Sequence, residues 1–179
     1  MPNWCSNNAT LSGPLDKIKA LWDAAQGNDS GLFMAMVPMG KWDYDQAVSQ
    51  WGTKWDVSVE NMSYQESADG KTASITGFFD TAWAPPREAF ESWCDNNEDC
   101  FAELEYFEPG AGYVGRWDSH GEDEEYDIDP ENLEEIPEDL REAWDLDTWY
   151  EDLNEDEAEE SEDSDETKDI KEAGKDSGC

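Results

Sequence analysis

Polar and apolar positions along the chain change period several times, and each change marks an element. "WCSNNATLSG" reads as a strand that ends at Gly13, and Pro14 then suits the first position of a helix. Leu15, Ile18, Leu21, Trp22 and Ala25 recur three and four residues apart, which predicts an amphipathic helix ending near Gly27. "LFMAMVPMG" is a short apolar run closed by Pro38 and Gly40. In "WDVSVE", Trp55, Val57 and Val59 alternate with Asp56, Ser58 and Glu60, the period of a half-buried strand. "SADGK" is a turn, with Asp69-Gly70 a hairpin signal, and "TASITGFFDTAW" is the strand that follows. Pro85 and Pro86 open a second helix, where Phe90, Trp93, Cys94 and Asn97 share a face. "FAELEYFEPGAGYVGRW" reads as a last strand, a turn at Pro109-Gly110 and a short return strand.

The order is strand, helix, strand, strand, helix, strand, with an apolar insertion after the first helix. This split βαββαβ order predicts an α+β fold: a ferredoxin-like antiparallel sheet with two helices on one face. The pattern closes near residue 117–120, so residues 1–120 form one expected domain and 121–179 an acidic C-terminal region. In that region "PEDLREAWDLDTWYEDL" places Leu140, Trp144, Tyr150 and Leu153, with Ala143 and Leu146 nearby, on one stripe of a helix over about 137–153. Beyond residue 154 apolar residues nearly vanish, and "NEDEAEESEDSDET" reads as a solvated tail or frayed helix end.

Charge narrows the function. The 179 residues carry 47 acids and 11 bases, a formal net charge of -36. Residues 1–120 hold 19 acids and 7 bases, whereas residues 121–167 hold 25 acids and a single base, Arg141. Such a chain is repelled by nucleic-acid phosphates and by anionic membranes. It attracts cationic partners, including proteins whose own work is to grip nucleic acid. At 12% aromatics it is too rich in rings for a purely disordered acidic protein.

Residues 137–166 carry 16 acids in 30 positions. As a helix they would span about 45 Å, near one charge per 3 Å, against about 3.4 Å per phosphate along one DNA strand. That linear density fits a DNA mimic, and it fits a solubility tail as well. Within the region, Trp144, Trp149 and Tyr150 are candidate partner-contacting residues, and Glu159, Glu160 and Asp163 are candidate steering charges.

The stretch "QWGTKWD" is the other feature of interest. Trp51, Lys54 and Trp55, joined by Trp83 and Glu108, could line a cleft with one cation and aromatic walls. The plainer alternative makes the tryptophans core, with Lys54 snorkelling along them. "DIDPENLEEIPE" places Asp127, Asp129, Glu131 and Glu138 at positions 1, 3, 5 and 12 of a calcium-loop frame. Asn132 stands where that loop needs glycine, however, and Pro130 and Pro137 interrupt it. The cysteines Cys5, Cys94, Cys100 and Cys179 lack zinc-pair or cluster spacing, and His120 is the one histidine. Reduced thiols are the expected state. Phosphate-binding loops, nucleophile elbows and HExxH are absent from the sequence, so neither a catalytic residue nor a cofactor is expected. "MPNWCSNN" has no basic patch followed by an apolar run, and no 18-residue apolar segment exists; a cytoplasmic location is expected.

Five motifs, "MPNWCSN", "MVPMG", "WGTKWD", "TAWAPP" and "EPGAGYVG", stand in this order along residues 1–117. Together they resemble the YubB-type ferredoxin-like family of plasmids, phages and integrated elements. Gly40 stands where the family often shows a second proline, and the acidic region falls outside the resemblance. The resemblance implies a ferredoxin-like fold and a mobile-element setting in a bacterial host; it implies no reaction. The combined expectation is a non-enzymatic acidic protein that binds a basic, nucleic-acid-handling host protein, as in DNA mimicry or anti-restriction. Two alternatives remain open: an enzyme or small-ligand binder using the Trp51–Asp56 cleft, and a single-stranded nucleic-acid binder using an aromatic sheet face.

Overall fold

The structure is a computed structural model, and it describes residues 3–27, 30–129 and 132–150. The chain divides into two compact units, Met1–Ile128 and Asp129–Cys179. The first is a mixed α+β unit built on a six-stranded antiparallel sheet, with strand order β2-β3-β1-β4-β5-β6. Its strands are β1 (Trp4–Pro14), β2 (Met62–Glu66), β3 (Thr72–Ala82), β4 (Phe101–Glu108), β5 (Tyr113–Asp118) and β6 (Asp123–Asp127). Its helices are α1 (Leu15–Ala25), α2 (Leu32–Met36), α3 (Tyr44–Trp51) and α4 (Arg87–Asp95).

The period-two pattern accounts for the core. Cys5, Asn7, Ala9 and Leu11 of β1 are buried on one face, and register brings Ile75 of β3 opposite Leu11 and Leu104 of β4 opposite Ala9. Onto this face pack Ile18, Leu21 and Ala25 of α1 and Ala89, Phe90 and Trp93 of α4. Of the positions their spacing marks, α1 buries Ile18, Leu21 and Ala25 with Leu15 and Trp22 partly covered, and α4 buries Phe90, Trp93 and Cys94, while Asn97 falls beyond its end. The other face of the first four strands is polar over much of its area, with Ser6, Asn8, Thr10, Ser74, Thr76, Glu103 and Glu105, but it also carries the exposed rings of Trp4 and Phe78.

The structure differs from the sequence pattern in four places. The run "LFMAM" is the helix α2, because Asp56 caps it from a distant loop: its carboxylate accepts from the amides of Gly31, Phe33 and Met34 at 2.7–3.1 Å. Such a cap is invisible to local reading. Next, residues 44–51 form α3, with Asp43 accepting from the Gln46 amide at its start. "WDVSVE" is a loop rather than a strand: its alternating apolar residues do not share a buried face, with Trp55 exposed, Val57 partly buried and Val59 buried. Strand β2 begins at Met62 instead. Finally, the sheet continues past residue 120 into β6, whose "DEEYD" shows no apolar alternation. Carboxylate pairing with the neighbouring strand helps it form: Arg116 of β5 binds Glu124 at 3.0 Å.

In the second unit, α5 spans Glu138–Ala143 and residues 146–150 are helical again. The break falls at Trp144 and Asp145, where Asp145 takes φ 49°, so the expected continuous helix over 137–153 is split within the described residues. Leu140 and Leu146 are fully buried. Among the described residues no helix is long and apolar enough to cross a membrane.

Candidate functional site

The stretch Trp51–Asp56 assigns a separate task to nearly every residue. Trp51 ends α3 and is fully buried; its indole donates to the Val37 carbonyl at 3.0 Å and its ring lies 6.0 Å from Phe33. Gly52 then takes φ 80°, the left-handed conformation that closes a helix, and its amide returns to Val48. It is this φ that demands glycine; a Cβ there would also displace the Glu88 carboxylate and crowd the Pro85 carbonyl at 3.0 Å. Thr53 is buried, and its hydroxyl exchanges bonds with both the carbonyl and the amide of Ala82, at 3.1 and 3.2 Å. This clamp holds the loop against the end of β3. Asp56 caps α2, as above.

Between these fixed points Lys54 and Trp55 face outward. The Lys54 ammonium lies 4.3 Å from the Trp55 ring centroid, 5.3 Å from Trp83 and 5.9 Å from Tyr44. These are cation–π distances. Among the described residues no carboxylate forms an ion pair with it. Trp4 adds its ring 6.2 Å from Trp55, and Trp42 donates its indole N–H to the Lys54 carbonyl at 3.2 Å. Trp4, Trp55 and Trp83 are 49%, 40% and 44% exposed. The result is an open aromatic surface around one cation.

Trp83 is held there at a cost. It takes φ 71°, a region that a bulky side chain rarely enters. Both of its backbone groups are tied: the amide donates to the Asn3 carbonyl at 2.9 Å, and the carbonyl accepts from the Tyr113 hydroxyl at 3.0 Å. The strained turn aims the indole at Lys54 instead of into the core.

Of the residues the sequence grouped, Lys54, Trp55 and Trp83 come together; Trp51 is core, and Glu108 is not on this surface. Glu108 is fully buried, and one oxygen accepts from the Ala111 amide, pinning the Pro109–Gly112 turn, while Oε1 has no hydrogen-bond partner among the described residues. Near it burial pushes the Cys5 thiol up to about 12 and the Tyr113 hydroxyl upward as well. Burial thus favours the protonated forms of Cys5 and Tyr113.

Trp4, Tyr44 and Trp42 escaped the sequence reading. The signal that could have found Trp4 is its place in a strand whose alternate residues are Cys5, Asn7 and Ala9: Trp4 falls on the outer phase.

Beside Trp55 runs a groove of about 630 Å³, lined by Trp4, Trp55, Ser58, Asn61, Phe78 and Asp80 among others. It opens because β2 is short. Pairing with β3 starts at Met62 opposite Gly77, where a Cβ would sit 2.8 Å from the Met62 Cα, and leaves Phe78–Ala82 with no strand beside it on that side among the described residues. At the opposite end of β1 a second recess of about 610 Å³ includes Gly13, Cys100 and His120. There His120 lies 4.8 Å from Phe101, and burial raises the Cys100 thiol, which favours its protonated form.

Trp144, Trp149 and Tyr150 are each half-buried in the second unit. Leu153, Glu159, Glu160, Asp163 and Cys179, with Pro130 and Glu131 of the calcium-like frame, lie outside the described residues.

No family model and no curated protein matches the chain. A crystal structure of the protein api92 from Yersinia pseudotuberculosis, labelled DUF1281, is 19% identical with a TM-score of 0.39; the match covers 59% of this chain and 43% of that one. The chain thus spans less than half of that protein, and a likeness at this level carries no argument about function.

Proposed function

We propose that this chain is an acidic, non-enzymatic binding protein of the phage or plasmid type, whose partner is a basic protein that handles nucleic acid. One observation carries the reading: acidic charge is concentrated in one stretch in far greater number than the cations near it. Residues 121–167 hold 25 acids and one base. The run begins in an ordered strand, where Asp123, Glu125 and Asp127 of β6 are exposed along the sheet edge. The nearby cations are already engaged, Arg116 with Glu122 and Glu124, and Arg87 with Asp123. A basic groove shaped for phosphates would meet a comparable linear density of charge here. In its strongest form the reading is a DNA mimic that competes with nucleic acid for that groove. The strand order β2-β3-β1-β4 supports the ferredoxin-like reading of the first unit, with β5 and β6 as an added hairpin.

Affinity capture from a bacterial lysate at rising salt tests it. The full chain should retain basic nucleic-acid-binding proteins, lose them as salt rises, and release them to added duplex DNA. Retention of acidic proteins, or retention indifferent to salt and DNA, contradicts the reading. A second reading, a small-ligand site, is favoured by the exposed rings around Lys54. Direct single-strand binding on the sheet face is opposed: β1 to β4 contain no Lys or Arg, and Glu103 and Glu105 stand on that face.

A further inference from the structure

The groove beside Trp55 has three properties that define an occupant. Its walls are aromatic: Trp4, Trp55 and Phe78, the last 62% exposed. Its ionisable rim residue is Asp80, exposed, with Oδ1 accepting from Ser6 at 2.9 Å and Oδ2 accepting from no described residue. Asp56, the other carboxylate there, is consumed by the cap of α2. The floor is the end of β3, beside which no described strand lies past Gly77. There Thr53 bonds both backbone groups of Ala82 on the groove side, while the Trp83 amide bonds Asn3 on the β1 side. By antiparallel alternation the N–H and C=O of Asp80, two residues before Ala82, also point into the groove.

We propose that this groove receives an extended segment of a basic partner, with an arginine side chain laid against Trp4 and Trp55 and its guanidinium on Asp80. The proposal rests on the reading that the partner is basic. Charge complementarity selects the occupant: a carboxylate rim on a chain of net charge -36 repels anions. Arginine fits better than lysine, because its planar fork stacks on rings and pairs with a carboxylate through two bonds. The Asp80 backbone offers an N–H and a C=O to any extended peptide, so the aromatic and acidic groups supply the choice. Lys54 does not line the groove. It holds the Trp55 ring through the cation–π contact and thereby fixes one wall.

The test uses the full chain and three short peptides: acetyl-Val-Arg-Val-amide, its neutral citrulline counterpart and its glutamate counterpart. Nuclear magnetic resonance reads the indole N–H signals of Trp4 and Trp55 and the Asp80 amide, separating the groove from unspecific capture by acids elsewhere. The arginine peptide should shift all three signals, the citrulline peptide should shift them more weakly, and the glutamate peptide should leave them in place. Asp80→Asn should weaken the arginine effect about two- to fivefold, the scale of an exposed ion pair. Trp55→Ala should weaken it to a similar degree, roughly two- to fivefold for a lost exposed ring contact. Equal shifts from the glutamate peptide, or undiminished arginine shifts in Asp80→Asn, overturn the proposal. If Trp55→Ala fails to fold, Asp80→Asn decides alone. A basic host protein captured equally by wild type and Asp80→Asn sinks the groove and leaves the wider reading standing. Arginine-peptide binding in the groove with no basic protein captured does the reverse.

Discussion

Trp51 and Trp55, four residues apart, have opposite fates, and their energetics should follow. Trp51 is fully buried with its indole bonded, so Trp51→Ala should destabilise by about 3–5 kcal/mol, the range for emptying a large core site. Trp55→Ala should cost under about 1 kcal/mol, as for most exposed positions. Urea melts of the two variants check this, and comparable losses would put Trp55 in the core. The sequence offered both tryptophans as equals, because a four-residue interval shares a face in a helix and in a strand alike. What separated them is Gly52, which ends α3 between them at φ 80°. The role of Asp56 was equally hidden: its partners stand 22 to 25 residues earlier in the chain. Asp56→Ala should leave the α2 amides uncapped and cost about 1–3 kcal/mol, with Asp56→Asn recovering part of it. A neutral result in the same melts would remove the cap from the account.

At the scale of elements, β1, α1, β3, α4, β4 and β5 were legible because each combines a clear period with a Gly or Pro boundary. The elements missed are those with tertiary causes: α2 takes its cap from a distant loop, and β6 has little to recommend it but its neighbour β5. Strand β4 also gathers like charges. Burial, then Glu105, Glu122 and Asp118, raise the Glu103 carboxyl above its usual range. A carboxyl raised in the folded state binds its proton more tightly there than in the unfolded chain. Folding is therefore favoured below the unfolded value, and that advantage is lost as pH rises through the folded value. Glu103→Gln, which mimics the protonated form, should match wild type near pH 4, within the ordinary glutamate range, and exceed it in stability at neutral pH. Thermal melts at the two pH values decide; a variant less stable at neutral pH contradicts the assigned cause.

For the whole molecule, the composition shift near residue 120 located the onset of the acidic region, but the first compact unit runs on through β6 to Ile128. Composition saw the charge and could not see that its first acids lie on a strand paired with β5. A chain ending at Ile128 keeps β6 and should fold with native-like amide protection, whereas one ending at His120 lacks it and should be less protected along β5. The acids beyond Ile128 are the ones proposed to steer the partner. Charge steers encounter and sets salt dependence, while buried aromatic contacts set residence time. The most direct measurement is association and dissociation kinetics of the captured basic partner at several salt concentrations, comparing the full chain with the chain ending at Ile128. The shorter chain should associate more slowly and with a flattened salt dependence. Unchanged association and unchanged salt dependence would contradict that steering role.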